Sequence, residues 1–171
     1  MEATALLAGQ PFTDHPAGVH PLIAAVARIV NDAVSDAARQ QLLRYAPAMI
    51  GTGTDDPQAF DNLVILVCQR GLPAALPIWA PALRRALRDA RRRRARNRNV
   101  VTGWQRRRAA AAVRYATVSL VLAGHTDRDQ RLITLLRDCL TAQRGTIAAD
   151  PADTPVAARK APTDAPADHR R

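Results

Sequence analysis

The chain has 171 residues, 47% of them apolar but only 4% aromatic, and a formal charge of +10. That length supports one domain whose core needs no staples, and the shortage of aromatics leaves Leu, Ile, Val and Ala to build it, which favours helix. No basic leader with a long apolar run opens the chain, and the longest charge-free apolar stretch, YATVSLVLAG, is about half a membrane span, so a cytoplasmic protein with no transmembrane segment is expected.

Residues 1–19 hold Gly9, Pro11, Pro16 and Gly18 and read as an irregular lead-in. A first helix is expected from His20 and Pro21, with Leu22, Ile23, Val26, Ile29, Val30 and Ala33 at helical spacing on its buried face. Ser35 caps a second helix, with Asp36 in its first turn and Leu42, Leu43 and Ala46 on one side, which ends before Pro47. GTGTDDP follows as a tight turn, and its Asp56 and Pro57 open a third helix, PQAFDNLVILVCQR, stopped by Gly71. Its centre, Leu63 to Cys68, is apolar on every side and would also suit a buried strand, but a capped segment of this length with no strand partner favours a central helix.

A proline-broken connector, GLPAALPIWAP, places Trp79 against the core and leads into a basic helix from Pro81. The stripe of this helix is Leu83, Ala86, Leu87 and Ala90, and the positions that would continue it are Arg94 and Asn97. From Arg91 to Arg98, therefore, no face requires burial, and the segment must be solvated, frayed or bound. Thr102 caps a long helix with Trp104, Ala111, Tyr115, Val118 and Leu122 as its apolar stripe, ended by Gly124. Arg106, Arg107 and Arg108 sit in its first turns, where positive charge opposes the helix dipole. Thr126 and Asp129 resemble a capping box for a last helix through Leu132, Ile133, Leu136, Cys139 and Leu140 to about Arg144. Residues 145–171 are rich in proline and poor in larger aliphatics, unable to build a core, and read as a disordered tail. The fold expected is all-α, a single compact domain of about six helices over residues 20–144.

The charge is unevenly placed. Thirteen arginines and one acid, Asp89, lie between Arg84 and Arg114, and the rest of the chain is nearly balanced. With 24 arginines against one lysine, the choice of arginine reads as codon bias, but the clustering still requires a reason. Arg84, Arg85, Arg88, Arg91, Arg92, Arg93, Arg94, Arg96 and Arg98, with Arg106, Arg107 and Arg108 as a second contact, form the candidate surface for nucleic acid or another polyanion. The alternative is a regulatory or adaptor role in which the same helix docks an acidic protein. Trp104 and Tyr115 are the nearby aromatics able to stack on bases, but their spacing of eleven argues that both face the core.

Other constellations have simpler readings. His15 and His20 with Asp14, Asp32, Asp55 and Asp56 match no ligand spacing, and GTGTDDP lacks the lysine of a phosphate loop and carries two carboxylates that would repel phosphate. Cys68 and Cys139 read as buried reduced thiols. No catalytic set assembles from the sequence, and neither metal nor cofactor is implied. The segment from His20 to Pro57, with its HP helix start, ARIVNDA, SDAARQQL and the G-T-G and D-D-P turn, resembles the opening of uncharacterised small helical proteins of actinobacteria. The resemblance covers about a quarter of the chain clearly, implies an all-helical cytoplasmic product and assigns no functional residue.

Overall fold

Proline and short polar side chains start the helices of this protein, whose structure, a computed structural model, describes residues 18–97 and 100–148. Helix α1, Pro21–Ala33, is capped by His20, whose Nδ1 accepts the Leu22 N–H at 3.2 Å. Helix α2, Asp36–Leu42, is capped by Ser35, whose hydroxyl also donates to the Asp129 carboxylate at 2.6 Å. The chain does not break before Pro47. It tightens into a 3-10 turn, Leu43–Tyr45, and a single α turn, α3, Ala46–Met49, which holds Pro47 in a first-turn position where no N–H is needed. Helix α4, Pro57–Gly71, carries Leu63 to Cys68 as helix, and the Asp56 carboxylate caps it by accepting from the Gln58 and Ala59 N–H groups at 2.9 and 3.0 Å. Helices α5, Ala80–Ala95, α6, Gly103–Leu122, and α7, Arg128–Ala148, complete the order. Six helices of seven residues or more are present, and no strand occurs, among the described residues. Helix α7 runs past Arg144 to Ala148, and the lead-in before Gly18 and the tail after Ala148 lie outside the described residues.

Helix α4 occupies the centre and packs against α5, α6 and α7, while α1 packs against α6 and α7. The core is aliphatic, as the composition requires: Ile23, Val26, Leu63, Val64, Leu83, Val113, Leu132 and Leu136 are all buried. Trp79 packs against its edge. Both cysteines are buried free thiols, and burial pushes each up to about 12, so neither is a nucleophile at neutral pH. No helix among the described residues is long and apolar enough to cross a membrane.

Helix α4 ends at Gly71 as expected, and the glycine is also a packing residue. It is the last residue of α4, and a Cβ there would come within 2.5 to 2.6 Å of the backbone and Cβ of Ala116 on α6. The absent side chain lets the two helices touch. Gly71→Ala is expected to cost about 1–3 kcal/mol, read from its urea midpoint, because the facing backbone of α6 has little room to move.

That close approach also decides which face of α6 is buried. Ala109, Ala112, Val113, Ala116, Thr117 and Leu120 face inward, whereas Trp104, Tyr115 and Leu122 are exposed. The stripe predicted from the large side chains is thus the outer side of the helix. Small residues line the inner side around Ala116 because α4 lies too near there for large ones.

The GTGTDDP segment clasps the start of α1. Gly53 donates its N–H to the Gly18 carbonyl at 2.8 Å, and the buried Thr52 hydroxyl accepts the His20 N–H at 3.1 Å while donating to the Met49 carbonyl at 2.6 Å. Turn and cap, as read from the sequence, describe it. The Asp129 carboxylate serves Ser35 of α2, accepting its N–H at 3.1 Å and its hydroxyl at 2.6 Å, in place of the capping box predicted with Thr126.

Candidate polyanion-binding surface

Helix α5 rests on the core through Ala80, Leu83, Leu87 and Ala90, and its buried stripe continues at Arg93. The apolar spacing predicts Arg94 at that place and no buried residue from Arg91 onward, and the structure corrects both points. Arg93 Nε and Nη2 donate to the Asp61 carboxylate of α4 at 2.6 to 3.1 Å, and both side chains are buried. A fork-shaped guanidinium satisfies both carboxylate oxygens at once, which makes burial of the two charges tolerable. Burial raises the Asp61 carboxyl above its ordinary value, opposed by the hydrogen bonds and charge of Arg93. Arg93 is therefore withdrawn from the binding surface. Its partner is legible in the sequence as the one acid inside the apolar segment FDNLVILVC, on the side of the helix shared by Val64 and Cys68.

The other described arginines of α5 are exposed. Arg84, Arg88 and Arg91 make one row at helical spacing, and Arg85, Arg92 and Arg96 make a second. Among the described residues Arg84, Arg88, Arg91, Arg92 and Arg96 have no ion pair, while Arg85 makes a loose contact with Asp89 at 3.9 Å and Arg94 donates to the Asn62 side chain. Three of the arginines, Arg92, Arg93 and Arg94, lie in the last turn of the helix, where the dipole favours positive charge. The chain turns out of the helix at Asn97, whose φ of 47° is in the left-handed region that asparagine tolerates and whose side chain accepts from Gln58 at 2.8 Å. Arg98 lies outside the described residues.

At the start of α6 the Gln105 side chain accepts the Thr102 N–H at 2.9 Å. Arg106 stands over the Phe60 ring at 5.5 Å from its centroid and lies 3.8 Å from the exposed Asp55 carboxylate. Arg108 stands over the Trp104 ring at 5.3 Å, and Arg107 is exposed. Cation–π contact offsets the unfavourable placement of Arg106 and Arg108 at a helix N-terminus. Arg106 is thus the most engaged of the three.

Between α5 and α6 the surface is hollowed. One open groove, of roughly 160 Å³, is lined by alanines of both helices and by Arg85, Asp89, Arg93, Trp104, Gln105, Arg108 and Tyr115. A second, of roughly 280 Å³, is bordered by Arg85, Asp89, Arg92, Arg96, Trp104 and Gln105, with the Asp61-paired Arg93 also among its lining. Trp104, 55% exposed, borders both, and Tyr115, 38% exposed, is stacked on Trp79 at 5.3 Å between centroids. Neither aromatic faces the core, contrary to the reading from their spacing. The structure thus brings the second arginine row and Arg108 together around one exposed indole, and leaves the row of Arg84, Arg88 and Arg91 on open helix surface. Comparison with known proteins finds no matching family, curated sequence or solved structure.

Proposed function

We propose that the protein binds nucleic acid or another polyanion, without catalysis, through the exposed arginines of α5, with Arg107 and Arg108 of α6 as a second contact. The observation that carries this reading is the set of five exposed arginines, Arg84, Arg88, Arg91, Arg92 and Arg96, with no acidic partner among the described residues. A helix that holds so many like charges together at the surface has mutual repulsion to overcome, and phosphates relieve it while releasing their own counterions. If about six such charges meet phosphates of duplex DNA, affinity falls roughly a thousandfold between 50 and 200 mM salt. A quadruple variant, Arg88→Gln, Arg91→Gln, Arg92→Gln and Arg96→Gln, leaves the Arg93 pair intact and is expected to bind more weakly with a shallower salt slope. A gel-shift titration of both proteins at the two salt concentrations tests it. Identical slopes, or no wild-type binding at low salt, would refute the proposal.

The second reading is an adaptor that docks an acidic protein, and the alanine lining between α5 and α6 favours it, since that lining would accept the apolar side of a helix. A stoichiometric partner whose recovery survives nuclease treatment would decide for it.

A further inference from the structure

Resting on the polyanion reading, the geometry points to a narrower ligand: Trp104, with Arg85, Arg92, Arg96 and Arg108 around it, forms a subsite for single-stranded nucleic acid, in which an unpaired base stacks on the indole and the arginines take the adjoining phosphates. Simple phosphate binding requires charge alone. It gives no reason for a large aromatic ring at the surface in the middle of the charge. The chain has only two tryptophans, two tyrosines and two phenylalanines, and it leaves one of the largest of them more than half exposed. Phe60 is buried, and Trp79 and Tyr115 are stacked on each other, so their faces are in part already used.

The arrangement around Trp104 suits a base better than any other polyanion component. The ring borders both hollows between α5 and α6, and Gln105 beside it, whose Oε1 accepts the Thr102 N–H, keeps its amide NH2 group for a base edge. Arg108 lies over one face of the ring as a cation–π partner, so the base takes the opposite face and the guanidinium backs the stack. Arg92 and Arg96 border the second hollow and have no ion pair among the described residues, and Arg85 is held only loosely by Asp89. A duplex keeps its bases stacked inside and offers such a ring only sugar and phosphate, whereas a single strand exposes the base faces that aromatic side chains take up.

The test is a fluorescence titration with four probes: a twelve-nucleotide oligothymidylate, the same length of duplex DNA, inorganic polyphosphate and polyglutamate. Stacking on one aromatic is worth about a five- to 150-fold gain, so the oligothymidylate is expected to bind tighter than polyphosphate by a factor in that range and to quench tryptophan emission. Trp104→Leu should abolish both the preference and the added quenching while polyphosphate affinity stays constant, and Trp104→Phe should restore most of the preference. Circular dichroism of each variant confirms that the helices are intact, which the exposure of Trp104 leads one to expect. Equal affinity for oligothymidylate and polyphosphate, tighter binding of duplex, or a preference that survives Trp104→Leu overturns the subsite but leaves the polyanion reading standing. Tightest binding by polyglutamate assigns the surface to an acidic protein and overturns the subsite as well. Binding of none of the four overturns both.

Discussion

An Arg93→Gln protein is expected to be less stable than its parent by about 3–5 kcal/mol, whereas Arg92→Gln, one residue away in the same run, changes stability by no more than about 0.5 kcal/mol. The contrast follows from burial. Arg92 is exposed and has no ion pair among the described residues, while Arg93 reaches inward to Asp61 and satisfies both of its carboxylate oxygens. Removing the guanidinium strands a carboxylate in the core, and that desolvation, more than the lost attraction, sets the size of the effect. Asp61→Ala should be damaging for the reciprocal reason. Replacing both together, by Asp61→Leu and Arg93→Met, should cost much less than the sum of the single changes, because no unpaired charge then remains. Urea denaturation of these proteins measures this, and similar losses for Arg92→Gln and Arg93→Gln would remove the buried pair from the account. The result also bears on function, since it divides a run of look-alike arginines into one that holds the fold and several that are free to bind.

The division is hard to read from sequence for a geometric reason. After Leu83, Leu87 and Ala90 the next buried position falls three or four residues on, and Arg93 and Arg94 are the same residue type, so hydrophobicity cannot choose between them. What is legible is the element itself, through its proline and its apolar stripe. The caps at Ser35 and Asp56 and the helical state of Leu63 to Cys68 are legible too, since each rests on local chemistry acting over one turn. Helix α6 misleads for the opposite reason. Its tight approach to Gly71 puts alanines inside, so the large side chains that normally mark a core face mark the surface instead. The same pattern sends Trp104 to the core and hides the candidate stacking site. A glycine in α4 and an alanine run in α6 are the available signals, and each is interpretable only once the two helices are known to be neighbours.

The stability of the protein is expected to fall by about 2 kcal/mol between pH 7 and pH 5, through His20. This side chain is 1% exposed, and its Nδ1 accepts the Leu22 N–H, so the folded protein holds a neutral imidazole with its other nitrogen protonated. Protonating Nδ1 would set two donors against each other. Burial, joined by the positive charge of Arg106 and opposed by Asp55, lowers the His20 pKa from 6.5 to about 4. The unfolded chain therefore takes up the proton first as pH falls, and the stability conferred by the neutral ring, fully present above 6.5, drains away through the window from 6.5 to 4. The full loss is about 3 kcal/mol. Two other acids do not share this window, because Arg131 holds Asp127, and Ser35 holds Asp129, below the ordinary carboxylate range. Asp61, whose carboxyl burial raises, acts in the opposite sense, since the folded state then takes up its proton first. The comparison that isolates His20 is therefore with His20→Asn, which keeps a capping side chain and loses the titration. Its packing loss is the same at every pH, so its stability should change far less than the parent's between pH 7 and pH 5. Urea midpoints at the two values measure the difference, and parallel losses in the two proteins would show that another group carries the pH dependence.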